Sequence, residues 1–209
     1  MNQSLGTLYI ISAPSGGGKT SLVNALVSSI NNLFISISYT TRPLRPGEQN
    51  GVNYHFITTD QFHELIKQNT FIEHAKVFDH HYGTSREWVN QQLQQGHDVI
   101  LEIDWQGAQQ IRQNFKHCVS IFILPPSRDA LRERLMNRAQ DDSTVIDQRM
   151  MQARNEMSHY HEFDYLIIND IFENALTDLK AVIRSRRLLT SLQSLQHEDL
   201  IKNLLQDVN

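Results

Sequence analysis

The sequence predicts an α/β fold in three layers, with a parallel sheet between two layers of helices, one inserted subdomain and a small lid. Apolar runs of strand length recur at 8–11, 99–103, 119–124 and 165–168, with a weaker one at 34–37, and helical patterns separate most of them. Alternation of that kind requires crossover helices, which cover both faces of the sheet. A chain of 209 residues that is 40% hydrophobic can bury such a core as one domain. From Ser38 to about Gln95 the alternation stops and polar and turn residues take over, which marks the insertion.

The first strand, Leu8-Tyr9-Ile10-Ile11, runs directly into Ser12-Ala13-Pro14-Ser15-Gly16-Gly17-Gly18-Lys19-Thr20-Ser21, and a helix is predicted over 19–30. Three adjacent glycines are costly to order, so such a loop needs their missing Cβ for unusual dihedrals or for close approach to a ligand. A strand, a glycine loop and a helix start aim several backbone N–H groups and the positive helix end at one anion. The residues from Ala13 through Pro14, Ser15, Gly16, Gly17, Gly18 and Lys19 to Thr20 meet the P-loop pattern G-x-x-x-x-G-K-[ST], except that Ala13 replaces the first glycine. In that role Lys19 reaches the outer phosphates of ATP and Thr20 offers its hydroxyl to Mg²⁺. The alternative is a glycine-rich turn with an ordinary surface lysine.

Within the insertion, strand-like pieces at 52–57 and 71–78 accompany short helices beginning near Thr59 and Ser85. The piece Ser38-Tyr39-Thr40-Thr41-Arg42-Pro43-Leu44-Arg45-Pro46-Gly47 sets Arg42 and Arg45 on a loop stiffened by proline. Two such guanidinium groups suit a phosphate dianion. A solvated basic turn paired with Glu48 accounts for them equally well. In Val99-Ile100-Leu101-Glu102-Ile103-Asp104, two carboxylates two residues apart share one face at the end of a strand, where a nucleotide-bound Mg²⁺ needs oxygen ligands. Asp104 could instead cap the helix predicted over 106–114.

Cys118 precedes the next strand and reads as a buried thiol. Helices over 128–137 and 145–159 flank a hydrophilic loop at 138–144, which on an anion-handling scaffold suggests a lid. Arg134 and Arg138 lie four apart on one face of the first of these helices, where like charges repel until an anion arrives. His80-His81 and His159-Tyr160-His161 lack a metal-ligand pattern and are expected at the surface. The long helix from Phe172 carries leucines from Leu188 to Leu205 at spacings near three and four. They pack on the chain's own core or make a homo-oligomer contact, and both readings stay open.

The net charge of -4 gives no global basic field for nucleic acid, no stretch approaches a membrane span, and no charged, apolar leader opens the chain. A soluble cytoplasmic protein that binds neither nucleic acid nor membrane is expected.

Together the segments SAPSGGGKTS, SYTTRPLRPGE, NGVNYHF, FIEHAKV, YGTSRE, ILEIDWQGA, FILPPS and LIIND resemble the guanylate kinases of bacterial type, in family order over roughly residues 7 to 190. The resemblance implies ATP-dependent phosphorylation of GMP to GDP on a P-loop core (1–37, 95–127 and 160–209), with a GMP-binding insertion (38–94) and a lid region (128–159). It implies that Ser38, Glu73 and Thr84 contact guanine, that Arg42, Arg45, Tyr54 and Tyr82 hold the GMP phosphate, and that Glu102 stands near GMP and the metal. It assigns Arg134, Arg138 and Arg149 to the transferring phosphoryl group and Asn169 to adenine. After the position of Arg138 the family usually has glycine, and this chain has Ala139. The chemistry is consistent with these roles: a carboxylate at Glu73 can accept from both N1–H and N2–H₂ of guanine, whereas adenine presents an acceptor there. Two rivals are a guanylate-kinase-like scaffold without catalysis, which has little need of Lys19, Thr20 and Asp104 together, and a P-loop kinase of another phosphorylated acceptor, which has no use for the guanine set.

Overall fold

Strand β1 (Leu8–Ser12) is buried along its whole length, and its alternation feeds two cores at once. In the computed structural model, which describes residues 5–77, 79–138 and 143–206, Tyr9 and Ile11 point into one cluster and Leu8 and Ile10 into another. The first cluster is closed by α1 (Lys19–Ser29) and α7 (Phe172–Arg187), through Leu22, Val23, Leu26, Leu179 and Ile183. The second is closed by α3 (Arg86–Gln94) and α4 (Trp105–Asn114), through Val89, Ala108 and Ile111. These are the expected three layers. Strands β2 (Leu33–Ile35), β7 (Asp98–Glu102), β1, β8 (Val119–Leu124) and β9 (Tyr165–Ile168) pair in that order, all parallel. Strand β1 is therefore central, and its carboxyl end delivers the glycine loop to the edge where ligands collect in such sheets.

A second, smaller sheet is built from residues of the polar segment, in the order β4 (His55–Phe56), β3 (Tyr39–Thr40), β6 (His80–Ser85), β5 (Phe71–Val77). Helix α2 (Thr59–Lys67) starts at a capping box made by Thr58 and Gln61. Only two residues of the strand-like piece at 52–57 pair as strand. Strand β6 was not anticipated: His80 and His81, expected at the surface, are half-buried on it, and His81 stacks on Phe62 with 5.3 Å between centroids. Helices α5 (Arg128–Arg138) and α6 (Ser143–Ser158) pack on each other through Leu131, Leu135 and Ala153. Ala139 and the loop it opens lie outside the described residues.

The long terminal helix breaks into α7, α8 (Thr190–Gln196) and α9 (Glu198–Leu205). Gln193 Nε2 donates to the carbonyl of Arg187, closing the end of α7, and Leu189 turns extended ahead of Thr190. Beyond that break Leu188, Leu195, Leu200, Leu204 and Leu205 are exposed, so the leucine stripe does not pack on the chain's own core. Its hydrophobic periodicity is real, but among the described residues no element faces it.

The end of α7 is held by charge as well as by its apolar face. Asp98, at the start of β7 and buried, accepts the Thr7 N–H at 2.7 Å and Arg187 Nε at 2.7 Å. Arg187 Nη2 also donates to the carbonyls of Asn31 and Asn32. Replacing Asp98 by Ala strands a buried N–H and a guanidinium, and should cost about 3 kcal/mol in urea denaturation. Asp98→Asn should cost less, because a side-chain oxygen still meets Thr7.

Candidate active site

The loop leaving β1 closes on itself by a bond from Gly17 N–H to the Pro14 carbonyl, 2.9 Å. Gly16 (φ 83°) and Gly18 (φ 86°) are left-handed, and a Cβ on Gly18 would come 2.4 Å from Asn169 Nδ2. Two of the three glycines are thus required by backbone conformation, and one of those also by packing. Asn169, buried just past β9, donates Nδ2 to the Gly17 carbonyl at 2.9 Å, and its own carbonyl accepts Arg134 Nη2 at 3.0 Å. Arg134 Nη1 is buried without a hydrogen-bond partner.

This loop forms one wall of a cleft of about 580 Å³. Lys19 lines it and donates Nζ to the Ile103 carbonyl at 3.2 Å, while Thr20 Oγ1 meets Glu102 Oε1 at 2.5 Å. Asp104 is the N-cap of α4: Oδ1 accepts the Gly107 N–H at 2.9 Å and Oδ2 accepts Gln106 Nε2 at 3.0 Å. The helix-capping role weighed for it is realised, and its carboxylate lines the cleft as well. Among the described residues no cluster of His, Cys, Asp and Glu could hold a metal ion by itself.

The opposite wall comes from the second sheet. Ser38, Tyr54, Tyr82 and the alternating residues Glu73, Ala75 and Val77 of β5 line it. The ladder between β5 and β6 slips between Phe71 and Glu73, and the bulge frees Ile72 to pack in the core beside Val99 and Leu101. Glu73 is 3% exposed, and Thr84, fully buried, donates its hydroxyl to Glu73 Oε1 at 2.5 Å. Thr84 therefore orients the carboxylate and does not itself line the cleft. Burial pushes the Glu73 carboxyl up to about 7, with the Asp104 charge adding to the rise. Burial, with Glu102 nearby, takes the Tyr54 phenol to about 12.

Arg42 lies behind this wall, beside Tyr54 and Tyr82, and neither Arg42 nor Arg45 lines the cleft. Arg42 lies against the rings of Tyr54 and Phe56, its Nη2 2.6 Å from Glu48 Oε1, and the Arg45 N–H donates to Glu48 Oε2 at 2.8 Å. The pairing with Glu48 is the one present. Arg149 is half-buried on α6 and does not line the cleft, and the Arg138 side chain lies outside the described residues. A charged lining residue that the sequence did not mark is Glu156 on α6, which accepts the Ser15 N–H at 2.9 Å and whose pKa is raised by burial. No local pattern marks it, because its partner is 141 residues away.

With this geometry the comparisons agree: the sequence model of the guanylate kinase family matches residues 5–186. The chain belongs to the guanylate kinase family. It is 54% identical to the guanylate kinase of Saccharophagus degradans over 200 residues, which cover 96% of this chain and 98% of that one. To the guanylate kinase of Alkalilimnicola ehrlichii it is 59% identical over 182 residues, 87% of this chain and 90% of the other. The crystal structure of guanylate kinase from Anaplasma phagocytophilum superposes with a TM-score of 0.77 at 32% identity, covering 93% and 95% of the two chains.

A family member with a buried carboxyl at Glu73 has a stability that depends on pH in a definite direction. Raised from 4.5 to about 7, this group binds its proton more tightly in the folded than in the unfolded chain. Its contribution is full below about pH 4.5 and is lost as pH rises through 7, up to about 3 kcal/mol. Urea denaturation of Glu73→Gln between pH 4.5 and 7.5 should therefore show a flatter decline than the parent, the remainder of the slope coming partly from Glu156.

Proposed function

We infer that this member of the guanylate kinase family transfers the γ-phosphoryl group of ATP to GMP, giving ADP and GDP. One observation carries this: a single cleft has a phosphate-binding loop on one wall and a buried carboxylate, Glu73, on the other. An oxygen of the GMP phosphate attacks the γ-phosphorus in line, the bond from phosphorus to the β–γ bridging oxygen breaks, and its electron pair leaves with ADP. Positioning and charge neutralisation supply most of the catalysis.

In this scheme the N–H groups of residues 15 to 20 and Lys19 cradle the ATP phosphates, and Glu156 yields its amide to them. Ala13 and Pro14 shape the loop entry, and Asn169 borders the adenine side. Arg134, with its unpartnered Nη1, meets the transferring group, joined by Arg149 and Arg138 from the lid region. Glu73 accepts the two guanine donors, Ser38 donates to O6, and Thr84 fixes the carboxylate. Tyr54 and Tyr82 bound the GMP phosphate. Arg42, already beside both tyrosines, reaches it by exchanging Glu48 for the phosphate, and Arg45 joins it from the same loop. The oxygen donors Thr20, Glu102 and Asp104 fit Mg²⁺, which Thr20 and Asp104 would hold together with the nucleotide. When bound, that ion neutralises charge on the phosphates. Residues 38–94 serve as the GMP-binding unit and 128–159 as the lid, on the core formed by the rest. Among the described residues no helix is long and apolar enough to cross a membrane, and the proposed setting is the cytoplasm, without nucleic acid. Association through the exposed leucines of α8 and α9 would add a homo-oligomer contact to this scheme.

Measuring ADP formation with GMP, AMP, CMP and UMP decides the acceptor, and only GMP should turn over efficiently. Glu73→Gln turns an acceptor into a donor against guanine, so kcat/KM for GMP should fall about 10²-fold with ATP affinity unchanged. Inosine monophosphate, which lacks the N2 amino group, should then be discriminated less strongly than by the parent. Lys19→Ala should lower kcat by about 10²-fold with little effect on GMP binding, and near-parental turnover would remove the loop from catalysis.

A further inference from the structure

Helix α4 belongs to the core, yet it touches the strand that carries Glu73 at two points one helical turn apart. At the first, a Cβ on Gly107 would lie 2.4 Å from Glu73 Oε2 and 3.2 Å from its Cδ. Gly107 has no left-handed dihedral, so the close contact that a side chain would meet comes from the neighbouring carboxylate and not from backbone strain. At the second, Gln110 Nε2 donates to the His74 carbonyl at 2.7 Å and Gln110 Oε1 accepts the His74 N–H at 3.1 Å. A side-chain amide thus pairs with both backbone groups of the residue next to Glu73, as a neighbouring strand would.

We propose that α4 sets the guanine specificity of this enzyme through these two residues. Gly107 leaves the seat into which the Glu73 carboxylate fits, and Gln110 fixes the height of the strand above that seat. Three contacts then hold the carboxylate: the Thr84 hydroxyl from one side, the bare Cα of Gly107 from the other, and the clamp on its own backbone. A carboxylate so confined presents its oxygens to two adjacent donors in one orientation, which is what discrimination between guanine and a base lacking one donor demands. Gly107 and Gln110 are positioning residues, and the inference rests on Glu73 reading the base.

The experiment compares GMP and inosine monophosphate as acceptors for Gly107→Ala, Gln110→Ala and Glu73→Gln, with the melting temperature of each variant. The group nearest an added methyl at 107 is the end of a flexible side chain, and alanine favours helix more than glycine does. Gly107→Ala should therefore hold or raise the melting temperature while KM for GMP rises about 10-fold or more, KM for ATP stays, and the GMP/IMP preference narrows. Gln110→Ala should shift the same quantities in the same direction, by about 5-fold. In a Glu73→Ala background, where the carboxylate is gone, Gly107→Ala should narrow the preference no further. If Glu73→Gln narrows the preference but neither α4 variant does, the positioning role is overturned. If Glu73→Gln itself leaves the preference intact, the guanine reading of Glu73 falls first. A melting temperature that drops with an unchanged preference means that the helix moved and the carboxylate did not, which also overturns the proposal.

Discussion

The site depends on a backbone conformation that only glycine adopts comfortably. Gly16 and Gly18 turn left-handed, and the space that a Cβ on Gly18 would fill is taken by the amide of Asn169. That amide ties the loop after β1 to the end of β9, and the Asn169 carbonyl ties both to Arg134 of α5. Three segments distant in sequence thus share one fixed point. It exists because β8 pairs with both β1 and β9, bringing their carboxyl ends to one edge. A side chain at position 18 would have to displace the asparagine, and with it the position of the arginine.

The cleft is lined by Glu73, Glu102, Asp104 and Glu156 against Lys19 and Arg134, an excess of carboxylates for a site that handles phosphates. Each carboxylate has an assigned donor. Thr84 supplies a hydroxyl to Glu73, Ser15 an amide to Glu156, Thr20 a hydroxyl to Glu102, and the first turn of α4 an amide to Asp104. All four donors are uncharged, so these carboxylates are oriented without being neutralised. Burial raises the proton affinity of Glu73 and Glu156.

Much of the fold was legible because its strands are fully buried apolar runs and its loop is chemically unmistakable. Strand β6 was not, since His80-His81-Tyr82-Gly83-Thr84-Ser85 has no apolar alternation and becomes a strand only by pairing with β5. The break at Leu188 escaped for the opposite reason: the leucine periodicity continues past the end of the packing. Glu73 was singled out by resemblance, but its burial follows from a bulge that frees Ile72 for the core, and no local signal announces it. Glu156 and Gln110 were invisible because each acts on backbone groups brought near only by the tertiary fold. Asp104 shows the converse: its capping role was readable locally, and its place in the cleft was not contradicted by it.

The acceptor side of the cleft is unevenly supported. Strand β5, which carries Glu73, is seven residues long, paired with β6 and braced by α4. The loop bearing Arg42 and Arg45 follows the two-residue strand β3, and β4 beyond it is equally short; Glu48 provides the cross-ties within the loop. Backbone held by few ladder bonds opens at lower free energy than backbone held by many. On the function proposed above, a purine meets the better-braced wall while Glu48 still holds Arg42. The incoming phosphate then competes for a guanidinium that lies against Tyr54 and Phe56, replacing one oxygen acceptor by another. Exchange of that kind lets charge-assisted bonds form without exposing a bare cation.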